Sequence, residues 1–322
     1  MDANFVSANG YGDCKALSNY MYALLNEARV PSHVALVRAG PDEDEILPDF
    51  SSNQFNHVIL CVPLKKDSLW LECTSQTTSP SYMGSFTGNR RALLITETGG
   101  VLVNTPTYSS GDNSRSTFVK ANLSADGELS GNVVSMYSGL QQDRLSSVIK
   151  QSSNTQLQEY MQTKFKLSSY SVSNYSHDIK NGMSPRIKET VELKVPNYGS
   201  VTGKRLFINP NMLSVSSFKL KDAAKRKTDL LFKTGFADSD TVEIDIPQGY
   251  IPESVPTGIE IKAGSSIYKT TLSIKPGKII YTRYFSQEAS RIPAAKTKEI
   301  ADFFDKIYRA DHSRIVFIKE AG

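Results

Sequence analysis

Three side chains that together can do covalent chemistry stand in the first quarter of the sequence. Cys14 ends the run Gly10-Tyr11-Gly12-Asp13-Cys14 and opens a stretch with helical periodicity. A cysteine in the first turn of a helix meets unpaired backbone N–H groups and the positive end of the helix dipole. Both favour the thiolate, the nucleophilic form. Such a residue can attack a carbonyl carbon, or it can be a structural thiol that begins an amphipathic helix. His57 stands alone among apolar residues in Phe55-Asn56-His57-Val58-Ile59. It reads as a satisfied core histidine or as a general base. Glu72, in Trp70-Leu71-Glu72-Cys73-Thr74, ends the next apolar run, where a carboxylate is costly to bury unless paired. If the two runs pair, Glu72 can approach one nitrogen of His57, orient the ring and stabilise its protonated form. The order thiol, imidazole, acid is a stronger signal than any of the three alone.

The remaining candidates are weaker. His33 begins a strand-like segment near the first helix but has no acidic neighbour in sequence, and His177 and His312 read as surface residues. The cysteines are Cys14, Cys61 and Cys73, an odd number with no CxxC pair, which argues against a disulfide framework or a zinc site. Cys61 reads as a packed core thiol. No His/Cys/Asp/Glu cluster has metal-ligand spacing, and neither GxGxxG nor GxxxxGK[ST] occurs, so no metal and no cofactor is expected. The basic run Lys219 to Lys227 has no aromatic platform and reads as a solvated segment, not a nucleic-acid site.

The elements that must position these residues are legible as patterns. Leu17, Met21, Leu24, Leu25 and Ala28 recur at three and four, predicting a helix over 14–28 that Asp13 caps. Residues 32–38, 55–63, 68–73 and 92–95 read as strands, with Lys65-Lys66-Asp67 as a turn between the second and third. Alternation places Phe55, His57, Ile59 and Cys61 on one side of the sheet. Four successive acids, Asp42 to Glu45, form a loop that either flanks a cleft or is simply solvated. Gly, Thr, Ser, Asn and Pro dominate residues 97–114, and two domains are predicted, 1–100 and 101–322. Beyond that point period-2 patterns prevail, with turns at Asp126-Gly127 and Pro276-Gly277, and read as a β-sandwich. Helices are predicted over 140–150, 154–165 and 295–308, and a last strand over 315–318. The whole is an α+β layout.

Composition sets outer bounds. The 322 residues are 39% hydrophobic and 22% charged, enough apolar material for packed cores. No apolar run approaches the roughly 20 residues of a transmembrane helix, so no transmembrane segment is predicted. The net charge of +4 is split, with residues 1–100 at −4 and the remainder at +8, as two domains with different surfaces would give. The opening MDANFVSANG lacks the basic and apolar regions of a signal peptide.

Three separated motifs, GDCK opening a helix, FNHV and WLE followed by CT, resemble the transglutaminase-like superfamily over residues 8–80. They are most similar to a bacterial branch of cysteine-protease type with flanking β-domains. The resemblance implies a papain-like core, a helix packed on an antiparallel sheet, with Cys14 as nucleophile, His57 as general base and Glu72 as orienting acid. It implies acyl transfer through a thioester on peptide or protein amides, with water or an amine as acceptor, and a periplasmic or cell-envelope location. Residues 101–322 would be the trailing β-domain.

Two departures stand out. The family's usual acid is Asp followed by Pro, where this chain has Glu72 followed by Cys73. Members also carry helices before the nucleophile that supply an oxyanion donor, whereas 13 residues precede Cys14 here. The chain therefore reads as truncated at its N-terminus. Loss of one oxyanion donor lowers rates roughly 10²–10³-fold, so weak or absent activity is expected of this fragment. The alternative reading is a non-catalytic envelope binding or scaffold protein that uses the β-domain.

Overall fold

A computed structural model describes residues 1–320 as mixed α and β structure with mostly antiparallel sheets and few helices. The chain divides into two compact units. The first comprises Met1–Tyr108 with Lys180–Pro185, and the second Ser109–Ile179 with Arg186 onward.

The first unit contains α1 (Ala3–Asn9), α2 (Cys14–Glu27), the strands β1 (His33–Val37), β2 (His57–Pro63) and β3 (Ser68–Leu71), the short α3 (Gly84–Thr87), then β4 (Arg91–Thr96) and β5 (Gly99–Asn104). The strands form one antiparallel sheet in the order β3-β2-β1-β4-β5. The division expected at residue 100 falls later, because β5 pairs with β4 along its whole length, from Arg91 opposite Asn104 to Thr96 opposite Gly99. Glu97-Thr98 is the hairpin turn, and Gly99-Gly100 open the paired strand β5 rather than a linker. Helix α1 was not legible, although Asp2 caps it through Phe5 N and Gly10 ends it with a left-handed backbone at φ 70°.

One face of this sheet buries Ala35, Val37, Ile59, Cys61, Trp70 and Ala92 with Met83. Strand β2 is buried on both faces, since Val58, Leu60 and Val62 are covered as well. Helix α2 contributes differently from its periodicity. Its buried residues are Ala16 and Ser18, whereas Leu24 is largely exposed and Leu17, Met21 and Leu25 are half-buried. The polar Ser18 is buried because its hydroxyl donates to the Val58 carbonyl at 3.1 Å.

The second unit holds β6 (Ser114–Leu123), β7 (Leu129–Ser138), α4 (Asp143–Gln151), α5 (Asn154–Thr163), β8 (Ser171–Lys180), β9 (Arg186–Val195), β10 (Ser200–Thr202), β11 (Arg205–Ile208), β12 (Leu230–Phe232), β13 (Phe236–Asp245), β14 (Tyr250–Ser254), β15 (Glu260–Ala263), β16 (Ser266–Lys275), β17 (Lys278–Gln287), β18 (Ser290–Ile292), α6 (Thr297–Asp311) and β19 (Ile315–Lys319). Eight strands form one sheet, β15-β16-β17-β13-β6-β7-β9-β8, and four form a smaller one, β10-β11-β19-β14. The Asp126-Gly127 and Pro276-Gly277 turns join the antiparallel pairs β6–β7 and β16–β17, whereas β13 runs parallel to β6. Leu206, Ile208, Ile315 and Phe317 of the small sheet share a core with Val119, Val133, Val191 and Ile244 of the large one. Helix α6 supplies Ile300, Phe303, Phe304 and Ile307 to a second cluster around Tyr268.

Between these apolar clusters a buried polar row crosses the large sheet. Glu189, Ser135, Thr117, Asp240, Arg283 and Thr270 lie opposite one another on six neighbouring strands. Arg283 donates to the fully buried Asp311 at the end of α6, at 2.9 Å, and Asp311 also accepts from Tyr268 and Asn211. Charges this deep are tolerable only when paired and hydrogen-bonded. Among the described residues no helix is long and apolar enough to cross a membrane.

Candidate active site

The approach to Cys14 is shaped by two glycines and an aspartate. Gly10 takes the left-handed conformation that ends α1. At Gly12 a Cβ would lie 2.7 Å from the Ala16 Cβ, so only glycine lets the chain pass this close to the helix. Asp13 then caps α2, accepting from Ala16 N at 2.8 Å through its side chain, while its carbonyl accepts from Leu17 N at 2.9 Å. Of the first four amides of the helix, those of Cys14 and Lys15 have no acceptor among the described residues. Cys14 is the first helical residue and is half-buried.

His57 and Glu72 come together at the sheet. His57 opens β2 opposite Val37, and Glu72 follows the last residue of β3, whose pairing sets Leu71 opposite Leu60. Glu72 Oε2 lies 2.9 Å from His57 Nε2, with both side chains under a tenth exposed. The extra methylene of Glu is accommodated because the carboxylate sits beyond the strand end and is held there by Thr74. The Thr74 hydroxyl donates to Glu72 Oε1 at 2.5 Å and its amide at 3.1 Å. Burial pushes the Glu72 carboxyl up, but hydrogen bonds from His57 and Thr74 and the charge of the imidazole outweigh it, leaving Glu72 below its ordinary range. Phe86 stacks edge-on against the imidazole at 5.1 Å between ring centres. Asn56, the residue before the histidine, bonds both backbone groups of Ala39 and so ties the start of β2 to the exit of β1.

Helix α2 and this pair meet through Ser18. Its hydroxyl donates to the carbonyl of Val58, the residue after His57, and lies beside the thiol of Cys73, the residue after Glu72. Cys14 precedes Ser18 by four residues and therefore lies on the same helix face, one turn nearer the N-terminus. The Cys14 thiol makes no hydrogen bond to His57 or to any other group among the described residues. The structure thus joins His57 to Glu72 directly and ties the helix that Cys14 opens to the same two strands.

The other cysteines have a different character. Burial pushes the thiols of both Cys61 and Cys73 up, against the hydrogen bonds from Ser68 and Ser18, and the Glu72 charge raises Cys73 further. A cavity of about 320 Å³ beside Cys61, Trp70 and Tyr108 contains none of Cys14, His57 and Glu72. His33 sits opposite Cys61, at the far end of β1 from His57, so it is not part of the site. His177 and His312 are exposed on the second unit. The acidic loop is partly neutralised, with Glu43 bonding Arg38 at 2.8 Å. Lys219 lies over the ring of Tyr308 at 4.1 Å, and Lys221, Lys225, Arg226 and Lys227 are solvent-exposed.

Sequence reasoning missed Ser18, Phe86 and the holding role of Thr74. Ser18 carried the one available signal, a small polar residue four positions after a candidate nucleophile. Phe86 stands in a Ser/Thr/Gly-rich stretch where nothing marks it.

Comparison with known proteins adds little chemistry. Residues 204–317 match a family described as a domain of unknown function with a solved structure, DUF3858. That segment lies within the second unit and includes none of Cys14, His57 and Glu72. No curated protein matches the chain. A crystal structure of a protein from Parabacteroides distasonis, named provisionally as a protease, is similar with 10% identity and a TM-score of 0.49. The similarity covers 99% of this chain and 46% of that one, so the present chain spans less than half of the other's length.

Proposed function

We propose that the first unit is a transglutaminase-like cysteine hydrolase or acyltransferase acting on peptide or protein amides. The five-stranded sheet with α2 against it is then its papain-like core. The observation that carries this reading is the buried His57–Glu72 pair at 2.9 Å, on strands to which Ser18 ties the helix opened by Cys14.

Each group has a defined task. Glu72 occupies Nε2 of His57, which leaves Nδ1 as the nitrogen that takes the proton of Cys14. The thiolate attacks the amide carbonyl and forms a carbon–sulfur bond. Negative charge moves onto the carbonyl oxygen, where the amides of Cys14 and Lys15 can receive it. His57 returns its proton to the departing amine as the carbon–nitrogen bond breaks, and a thioester remains. Water or a second amine, deprotonated by His57, then releases the acyl group and regenerates the thiol. Catalytic hydrogen bonds are commonly long in an unliganded site and tighten with substrate, so the open Cys14 thiol is compatible with this route. The periplasmic or envelope location belongs to the same proposal, since a protein-directed hydrolase of this kind would meet its substrates there.

The test is trapping of the acyl-enzyme. The chain is incubated with a p-nitrophenyl ester of an N-acylated dipeptide and intact mass is recorded. The expected result is a single acyl adduct on Cys14, absent in Cys14→Ala and strongly slowed in His57→Gln. Acylation spread over all three cysteines, or unchanged by His57→Gln, would leave the thiol without its base and favour the scaffold reading.

A further inference from the structure

Strand β15 is the outer strand of the eight-stranded sheet, and α6 runs antiparallel to it across a groove. The groove has two adjoining cavities, of about 420 and 500 Å³, which share Ile261 and Lys306. One lies between Ile261–Ala263 and the first half of α6, the other between Pro256–Ile261 and its last turns. The floor is apolar, with Ile259, Ile261 and Leu272.

The strand edge is available for pairing. Thr270 N donates to Ile259 O at 2.8 Å, so Ile259 is an inward-bonding residue of the antiparallel pair with β16. Bonding alternates along such a strand, which makes Ile261 inward-bonding and turns the N–H and C=O of Glu260 and Lys262 outward. An added strand would therefore find two donors and two acceptors in line.

The charges select the partner. Lys298, Asp302, Lys306 and Arg309 form one stripe along α6, all exposed, whereas Lys262 alternates with Ile261 and Ala263 and pairs with Glu260 at 3.7 Å on the other side of the strand. Three cations of α6 line the groove against two acids, Glu299 and Asp302, and the cavity beside Pro256–Ile261 has Lys306 and Arg309 with no acid in its lining. Lys298, Lys306 and Arg309 join no ion pair among the described residues. The stripe from Lys298 to Arg309 spans about 16 Å at helical rise, the length of roughly five extended residues.

The geometry points to a docking groove for an extended acidic peptide, which adds a strand to β15, seats an aliphatic side chain against Ile261 and sets its carboxylates against Lys306 and Arg309. Strand addition with alternate side chains in pockets is a general mode of peptide recognition. The groove lies inside the DUF3858 match and is independent of the acyl-transfer proposal.

Fluorescence polarisation on the full chain tests it, with a fluorescein-labelled peptide of repeating Glu-Thr-Val-Thr as the probe, in which Glu and Val share one face of the strand. Saturable binding is expected, with no binding of the matching peptide in which Lys replaces Glu. Lys262→Pro removes an outward N–H that no internal bond uses, and proline is tolerated on edge strands. This variant and the Lys306→Glu/Arg309→Glu pair should each weaken binding at least about tenfold at low salt. Absence of saturable binding overturns the proposal. So does binding that survives Lys262→Pro, which would mark a merely electrostatic surface. If Lys262→Pro lowers the melting temperature, the charge-reversal pair on exposed helix positions decides, and unchanged affinity there is equally fatal.

Discussion

Ser18 donates its hydroxyl hydrogen bond to the carbonyl of Val58, and this contact fixes how the helix of Cys14 meets the strand of His57. Removing the hydroxyl takes a hydrogen bond from a buried carbonyl, which costs roughly 1–3 kcal/mol. Ser18→Ala is expected to lower the unfolding free energy of the first unit by that amount, read from urea denaturation, and to slow acylation of Cys14. Unchanged stability together with unchanged acylation would show that the contact positions nothing.

Iodoacetamide should distinguish the three thiols. Cys61 and Cys73 are held protonated by burial, whereas Cys14 stands half-exposed at a helix start. Peptide mapping after brief labelling at neutral pH is expected to find Cys14 modified first, by roughly an order of magnitude over Cys73. Equal labelling of Cys14 and Cys73 would remove the case for a special nucleophile.

Glu72→Gln keeps the shape of the acid and removes its charge. His57 then loses the partner that stabilises its protonated form, and acylation should fall roughly 10²–10⁴-fold. The conservative Glu72→Asp should recover part of the rate. Stopped-flow measurement of nitrophenolate release checks both, and a rate within a factor of a few of wild type in Glu72→Gln would assign the pair a structural role only.

The depressed carboxyl of Glu72 has a definite pH consequence. Its folded pKa lies below its unfolded value, so the pair contributes stability above the ordinary carboxylate range and loses it as pH falls through the folded pKa. Thr74→Val removes a hydrogen bond to the carboxylate and therefore raises that pKa. The acid limb of the Cys14 labelling profile should move to higher pH in Thr74→Val, with the plateau less affected. A limb that stays in place would separate Thr74 from the titration of Glu72.

In the second unit Asp311 is fully buried against Arg283. Asp311→Ala leaves the guanidinium with only the longer 3.8 Å pairing to Asp240 and is expected to destabilise this unit by roughly 3–5 kcal/mol. Replacing both residues by apolar ones should cost less than the single change. Urea denaturation followed by hydrogen exchange in β16 and β17 reads the effect, and a loss well under about 1 kcal/mol in the single variant would show the row to be solvated.

Local chemistry was written in the chain itself. Asp13 followed by a periodic run determines a helix that starts at Cys14, because the cap and the first turn involve neighbours only. Alternation likewise determined β6, β7, β16 and β17, with turns where Asp126-Gly127 and Pro276-Gly277 stand. The sequence also put His57 and Glu72 on successive segments where they could meet. Periodicity failed where burial depends on what covers a face. The leucine stripe of α2 predicted its buried side, but Ala16 and Ser18 are the residues covered. Residues 97–114 read as a boundary because the register that pairs Gly99–Asn104 with β4 is not visible in composition. Tertiary structure alone decided that Nε2 is the nitrogen facing Glu72, that Ser18 touches the residues following both members of the pair, and that six polar side chains align across the large sheet. Register, rotamer and strand order arise from contacts between residues distant in the chain, and no local pattern encodes them.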